Sequence, residues 1–333
     1  ADIISCSAVI SACEKATQWS QALAMLRHVQ LSSMEVDVIT YCAAISACEK
    51  SAHWQTAMAL LKDLEDHMLK PSVVVVNAII SSCGAASEWR QALQQFVEAR
   101  GRVLNPDVVT YAAAMSSVEK ASQWQRALSL LEEVGHRRIK ANIIVLNAAV
   151  SACGSAAKWQ SAIQTLSDVH ARLLQTDVVT YDAAISACAN GMEWQQAVAL
   201  LRTLQETDIQ LGVIAFNASI TACERVSQWQ AAIHLLKIAE TVVDLTVVTF
   251  SATISACEQS GRWVEALHIL KEMELRHLEA NLISYASVIS SCEKAQRWQE
   301  SLAILNDSLR KWLQPNTIAS SAALRRGRHR SLS

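Results

Sequence analysis

Ten cysteines, nine histidines and 31 acidic residues are the side chains of this 333-residue chain able to hold a metal, form a disulfide or serve as nucleophile or base. Their spacing argues against each of these uses. No two cysteines form a C-x-x-C pair, the commonest metal or redox spacing. Eight of them, Cys13, Cys48, Cys83, Cys153, Cys188, Cys223, Cys257 and Cys292, recur once per structural unit. Neighbouring units packed at the usual helix separation of about 8–10 Å hold such cysteines beyond the roughly 7 Å that a disulfide tolerates. They read as small buried hydrophobes in a reducing compartment. His277-Leu278-Glu279 fits the H-x-E half of a zinc deaminase signature, but no P-C-x-x-C follows. With no glycine-rich phosphate loop, nucleophile elbow or recurring acid cluster, the chain reads as a non-enzyme with no metal and no cofactor.

What remains is an argument about surfaces. Hydrophobic residues make up 51% of the chain and charged residues 18%, too apolar and too weakly charged for intrinsic disorder. Aliphatic runs such as Val73–Val76 are far too short to span a bilayer. Only 8 glycines and 3 prolines leave little material for tight hairpin turns, which favours helices over sheets. The net charge is −2, but Arg325, Arg326, Arg328 and Arg330 crowd the last ten residues, where no acid stands. Setting those four aside leaves 25 basic against 31 acidic residues, so the body carries −6. A generic polyanion binder is strongly basic. Any nucleic acid bound here must be held by local pattern.

That pattern is a repeat. Trp19, Trp54, Trp89, Trp124, Trp159, Trp194, Trp229, Trp263 and Trp298 are separated by 35 residues at every step but one, which is 34. The cysteines keep the same step, with Val118 in the one place a cysteine is missing. Pro71, Pro106 and Pro315 all fall at one repeat position, just before a new unit. Three residue types on one period define nine tandem units. In the unit Val108–Asn142, Tyr111, Ala114, Met115 and Val118 recur at i, i+3, i+4 and i+7, the buried stripe of a first helix. Trp124, Ala127, Leu128, Leu131 and Val134 mark a second. Ser122 with Gln125, and Ser227 with Gln230, read as capping boxes opening that second helix. The β-branched starts, such as Val73–Val76, are three or four residues long and run straight into helical periodicity, so they are not strands. Each unit is a helix–turn–helix, and stacking buries what one unit alone cannot. The recurring tryptophan reads as a large apolar anchor between helices.

The opening V-V-T-Y-x, a Lys or Arg near the end of the first helix, the A-L pair of the second and the closing P-D resemble the pentatricopeptide repeat (PPR) family. The likeness is clearest in VVTYAAAMSSVEKASQWQRALSLLEEV (108–134) and NPDVVTY (105–111), and runs from Ile3 to about Asn316. The 35-residue step looks like the plain P-type subclass. The tetratricopeptide repeat, the near alternative, wants 34 residues and W-x-x-L-G-x-x-Y in its first helix, whereas here Trp opens the second. The resemblance implies an all-α, right-handed superhelical solenoid whose first helices line a concave face and bind single-stranded RNA, one base per repeat.

By the same resemblance, each base is read by the fifth residue of a repeat together with the last residue before the next. The pairs are Ser7 with Asp37, Cys42 with Ser72, Asn77 with Asp107, Ala112 with Asn142, Asn147 with Asp177, Asp182 with Gly212, Asn217 with Thr246, Ser251 with Asn281, and Ala286 with Asn316. Asn77/Asp107 and Asn147/Asp177 match the family's uracil pair. Ser251/Asn281 looks adenine-preferring, Ser7/Asp37 guanine-leaning, and Asn217/Thr246 suits a pyrimidine. The other four depart from the family's well-read pairs: Cys and Ala have little to offer a base edge, and Asp182 places a negative charge near RNA. The second residue of each repeat, which packs on a base face in the family, is Ile4, Ile39, Val74, Val109, Ile144, Val179, Ile214, Val248 and Ile283. Lys15, Lys50, Lys120, Arg225 and Lys294 occupy the phosphate-facing position, with Glu14, Glu49, Glu119, Glu224 and Glu293 beside them to offset the charge.

The expected organisation is then the end of a preceding repeat at 1–2, nine repeats over 3–316, a partial repeat or cap at 317–323, and a basic disordered tail at 324–333. With no targeting peptide at its start, the sequence reads as an excerpt of a longer array. The resemblance implies a mitochondrial or plastid role in RNA processing, stability or translation, with protein partners supplying any catalysis and no membrane association. The competing reading, from the acidic body and the four atypical pairs, is a helical scaffold that binds an extended peptide.

Overall fold

The computed structural model describes residues 3–32, 36–101, 106–137, 139, 142–171, 177–206 and 211–310. Asn316, residues 1–2, the expected partial repeat at 317–323 and the basic tail lie outside the described residues, as does the side chain of Ile4. Among the described residues all regular structure is helical, as the missing turn residues lead one to expect. The repeats contribute α1 (Ile3–Lys15) and α2 (Trp19–Leu31), α3 (Val38–Lys50) and α4 (Trp54–Asp66), α5 (Val73–Ala85) and α6 (Trp89–Gly101), α7 (Val108–Lys120) and α8 (Trp124–His136), and α9 (Ile143–Ser155) and α10 (Trp159–Ala171). They continue with α11 (Val178–Asn190) and α12 (Trp194–Glu206), α13 (Val213–Arg225) and α14 (Trp229–Val242), α15 (Val247–Gln259) and α16 (Trp263–Leu275), and α17 (Leu282–Lys294) and α18 (Trp298–Arg310). The valines of 73–76 are the first turn of α5, so the β-branched run is helical.

The chain forms two compact units, Ala1–Ala156 and Ala157–Ser333. In the first, α1, α3, α5, α7 and α9 lie side by side; in the second, α11, α13, α15 and α17 do the same. Within a unit a second helix packs on its own first helix, as α8 on α7, and on the first helix of the next repeat, as α8 on α9. Second helices of successive repeats meet through long side chains, as where Arg100 Nη1 reaches Glu133 Oε2 at 3.1 Å and Gln30 Nε2 reaches Asp63 Oδ2 at 3.1 Å. Tight spacing of first helices and wider spacing of second helices puts the first helices on the inner side of each unit.

Why the first helices stop where they do is a matter of backbone geometry. After α7, Ser122 adopts φ +53°, its N–H donates to Glu119 O at 2.8 Å, and the Gln123 N–H donates to Val118 O at 2.9 Å. This is the Schellman arrangement, in which a left-handed residue folds two N–H groups back onto the last turn. The same bond recurs to the carbonyls of Cys13, Cys48, Cys83, Cys188, Cys223, Cys257 and Cys292. The expected capping boxes are therefore not formed. Ser122 and Ser227 are the left-handed residues (φ +53° and +57°), and Gln123 and Gln228 open α8 and α14 with no side-chain cap. Non-glycine residues pay steric strain there; the eighth repeat uses Gly261 at φ +66°.

The first helices do have side-chain caps. Asp37, Ser72, Asp107, Asn142, Asp177 and Asn281 each accept the backbone N–H three residues on, while Gly212 has no side chain to do so. The last residue of each of the first eight repeats is thus the N-cap of the next first helix, a position that favours Asp, Asn and Ser for reasons unrelated to any ligand.

The expected first-helix stripe is buried: Tyr111, Ala114, Met115 and Val118 are all inaccessible. In α8 the stripe differs from expectation. Ala127, Leu130 and Val134 are buried, whereas Trp124, Leu128 and Leu131 are half-buried, because a second helix has close neighbours on one side only. The periodic tryptophans share that half-buried state. Several are covered by a cation or ring of the next repeat: Arg126 lies 5.0 Å over Trp89, Arg262 4.7 Å over Trp229, and the His53 ring stacks at 4.0 Å on Trp19. All ten cysteines are free thiols. Burial pushes the pKa of Cys83 and Cys153 up to about 11 and, with Glu193 nearby, that of Cys188 to about 12, so these are unreactive core groups. His277, of the isolated H-x-E triplet, is a turn residue with φ +57°. Among the described residues no group of three or more His, Cys, Asp or Glu is placed to hold a metal ion, and no helix is long and apolar enough to cross a membrane.

Candidate nucleic-acid interface

The first residues of each first helix alternate sharply in burial. Thr40 and Tyr41, or Thr110 and Tyr111, turn inward and are buried to within 1%. The residue just before them points out of the packing. Ile39, Val74, Val109, Ile144, Val179, Ile214, Val248 and Ile283 are exposed by between 56% (Val179) and 71% (Ile39). A β-branched aliphatic side chain in that state gains nothing from folding, and its repetition from the second repeat to the ninth produces an unpartnered apolar comb.

Beside each tooth stand the fifth residue and the N-cap of the next repeat, and in several repeats the structure brings them together. Asn77 Nδ2 lies 3.5 Å from Asp107 Oδ1, Cys42 Sγ lies 3.8 Å from Ser72 Oγ, and Ser251 Oγ lies 3.4 Å from Asn281 Oδ1. Asn217 is reached indirectly: Thr249 Oγ1 donates to Asn217 Oδ1 at 2.6 Å and sits 3.2 Å from Thr246 Oγ1. Asp107 Oδ1 accepts from the Thr110 N–H at 2.8 Å and from Thr110 Oγ1 at 2.8 Å. Burial alone pushes its carboxyl upward, yet these bonds and that from Asn77 together hold it below the usual carboxylate range. Ser251 is buried and donates to Val247 O at 2.7 Å, so its hydroxyl is already engaged. Ser7 and Asp37 are half-buried and exposed respectively, and Ala112, half-buried, has no polar side-chain atom to offer the capping Asn142. Asn147 lies on α9 of the first unit and Asp177 caps α11 of the second. Ala286 is half-buried; its partner position, Asn316, is outside the described residues.

Two fifth residues carry a polar atom that is buried without a partner: Asn77 Oδ1 and Asp182 Oδ1. Burial raises the Asp182 carboxyl to about 6, with the negative charge of Asp177 adding to the effect. An orphaned buried acceptor is uncommon and calls for an explanation.

At the other end of the first helices the cations fall into two kinds. Lys50 Nζ pairs with Glu14 Oε1 at 3.2 Å, and Lys294 Nζ with Glu258 Oε1 at 3.3 Å. The glutamate that neutralises each lysine therefore belongs to the preceding repeat, not to the residue beside it. Where the preceding repeat lacks that glutamate the cation has no carboxylate. Gly84 stands there before Lys120, which makes no ion pair among the described residues. Ala189 stands there before Arg225, whose Nη1 donates instead to the Ala189 carbonyl at 3.3 Å. Lys15 is exposed and likewise makes no ion pair among the described residues. Conversely, Glu49 and Glu224 have no cation on the following repeat, and burial raises both carboxyls above their usual range. Gly84 is required for packing: a Cβ there would lie 3.0 Å from Ser117 Cβ on α7. Its small size leaves an open recess of about 280 Å³ lined by Glu49, Ser81, Ser116 and Lys120 among others.

An array of antiparallel helix pairs with an apolar comb and paired polar residues along one row of helices is an α-solenoid repeat protein. Comparison with known proteins gives the family. The family described as "Pentatricopeptide repeat domain" matches residues 24–86 and 164–225, and that described as "PPR repeat" matches 248–278. The chain is a pentatricopeptide repeat protein. No curated protein sequence matches it. Among solved structures it is similar to the pentatricopeptide repeat protein PPR10 from maize, with a TM-score of 0.74 and 21% identity over 97% of this chain and 46% of that one. The chain thus spans about half the length of that relative. It is also similar to PPR10 in complex with an 18-nt psaJ RNA element (TM-score 0.51, 17% identity, 97% and 56% coverage). Yeast Rmd9p in complex with a 16-nt target RNA matches with a TM-score of 0.51 at 11% identity, over 97% of this chain and 84% of that one.

Proposed function

We propose that this chain binds single-stranded RNA along its first helices, one base per repeat, without catalysing any reaction. The observation that carries this reading is the comb of exposed second-position aliphatics. Nothing in the fold uses them, they recur at the repeat step, and flat base faces are the partner that a row of single branched side chains fits. Next to each, the fifth residue and the N-cap meet the base edge, giving a side-chain code of the kind helical repeats use. Asn77/Asp107 takes uracil, Ser251/Asn281 adenine, Ser7/Asp37 guanine and Asn217/Thr246 a pyrimidine. Lys15, Lys120 and Arg225, which have no carboxylate partner among the described residues, make the phosphate contacts, with Lys50 and Lys294 contributing less. The RNA complexes of PPR10 and Rmd9p support the choice of ligand. The family's usual setting suggests organelle RNA processing, stability or translation, with protein partners supplying any chemistry.

Filter binding of the chain to a random single-stranded RNA pool over a salt series tests this. Counterion release from single strands predicts a log–log slope of about −0.7 per phosphate neutralised. No binding at low salt, with capture of an extended peptide instead, would replace RNA by the scaffold reading.

A further inference from the structure

The sixth slot differs from every other. It carries a carboxylate, Asp182, at the fifth position and no side chain, Gly212, at the N-cap. Neither backbone nor space demands that glycine. Gly212 has φ −95° and ψ 159°, an extended conformation open to any residue, and a Cβ there would meet nothing closer than 3.9 Å. The helix it opens forgoes its side-chain cap. With no side chain at Gly212, the Asp182 carboxylate has no N-cap group to answer it. In the third slot the N-cap carboxylate answers the fifth residue directly, at 3.5 Å. In the sixth, Asp182 Oδ1 is buried and receives no hydrogen bond. What this atom lacks is a donor. Above and below the gap, Val179 and Ile214 are exposed by 56% and 64%.

The chemistry of a lone carboxylate selects among the four bases. Ionised, it has two acceptor oxygens and no donor. Uracil offers one N–H flanked by two carbonyls, which face the oxygens unfavourably. Adenine and cytosine each set a ring-nitrogen acceptor beside their amino group, so one carboxylate oxygen meets another acceptor. Guanine sets N1–H and N2–H side by side, two donors spaced for two oxygens, and both bonds are charge-assisted. The aspartate χ2 torsion is soft, which lets both oxygens turn to that edge. The space left by Gly212 suits the larger purine ring.

We propose that the slot formed by Asp182 and Gly212 takes guanine, whose N1–H and N2–H donate to the two oxygens of the Asp182 carboxylate between the Val179 and Ile214 side chains. This rests on the RNA reading above, and it turns the residue that argued against that reading into the most selective of the slots.

Selection from a randomised RNA pool at about pH 8, well above the carboxylate range, with the unaltered chain and with Asp182→Asn, tests the assignment. One position enriched in guanine should lose that preference by about tenfold in the variant, in line with one bidentate base contact, while all other enriched positions stay as they were. A second measurement uses the winning RNA with inosine, which lacks the N2 amino group, at that position. Inosine should weaken binding to the unaltered chain and leave binding to the Asp182→Asn protein unchanged. Asparagine is isosteric and removes a poorly solvated charge, so thermal unfolding of the variant should confirm that it folds. Guanine retained by the variant, or enrichment at several positions with none responding to Asp182, would overturn the guanine assignment and leave RNA binding standing. A pool with no enriched position at all would overturn both.

Discussion

α7 and α8 are both thirteen residues long and belong to one repeat, yet they are built for different tasks. The first helix is flanked by other first helices and buries two faces, with small residues at the tightest approach and one full-sized ring, Tyr111, sealed inside. The second helix buries a single stripe, and the largest side chains of the array, the tryptophans, lie only half-buried at its start. The lesson is that residue size does not locate the core in a solenoid. The row with neighbours on both sides carries both the packing and the exposed aliphatic comb, and the other row acts as a buttress.

The contrast is broken most directly by truncating one ring from each row. Tyr111→Ala removes a fully buried side chain whose hydroxyl donates to Glu133 Oε1 at 2.9 Å and whose ring meets Phe96 edge-on at 5.0 Å. It should cost about 3–5 kcal/mol in urea denaturation. Trp89→Ala removes a larger but half-buried ring together with its Arg90 and Arg126 contacts, and should cost about 1–2 kcal/mol. A Trp89 cost above that of Tyr111 would place the core in the wrong row.

A smaller effect comes from the charge that the first-helix row holds unpaired. The Asp182 pKa is raised from 3.8 to about 6 in the folded chain. The folded state therefore holds more protons than the unfolded state between those values, and this group's share of stability falls as pH rises through that window and is then level. Asp182→Asn should flatten the fall and leave the variant about 1–2 kcal/mol more stable at neutral pH, allowing for the group's partial solvation. Thermal melts from about pH 4 to pH 7.5 read this out. A variant less stable than the parent at neutral pH would mean that Asp182 has an internal partner.

The exposed comb separates recognition from stability within the same row. Val109→Ser should leave stability within about 0.5 kcal/mol, as for other surface changes. It should weaken RNA binding by about 1 kcal/mol, the value of burying part of an aliphatic side chain. Loss of stability without loss of binding would show Val109 to be a packing residue. The least effect, and the sharpest division, concerns two lysines at one repeat position. Lys120→Ala should reduce the salt slope of RNA binding by about 0.7, one phosphate contact. Lys50→Ala, whose cation is already held by Glu14, should change it by much less. Equal changes would show that the Glu14 pair opens when RNA binds.

Much of this was legible before any coordinates. The 35-residue step of Trp and Cys gave the helix pairs and their bounds. The stripe from Tyr111 to Val118 matched the buried face of α7, because a helix packed on both sides leaves its apolar period intact. In α8 the same reasoning missed Leu130 and overrated Trp124, because burial on a one-sided helix depends on the crossing of its neighbours. The capping boxes at Ser122 and Ser227 failed for a backbone reason: both residues sit in left-handed turns, a conformation their side chains do not announce. The recurrence of Asp and Asn at the N-caps has a local structural cause, the N–H three residues on, which the sequence carries alongside the functional one.

The sequence alone determined that this is a helical repeat array, since periodicity is a one-dimensional property and tandem packing follows from it. Only the tertiary structure decided which cations are available. Lys50 and Lys294 are matched by glutamates 36 residues away, Glu14 and Glu258, across a repeat boundary. Gly84 and Ala189 break that pattern before Lys120 and Arg225. A salt bridge between stacked helices is set by the rise and rotation from one repeat to the next, and those quantities exist only once the repeats have packed.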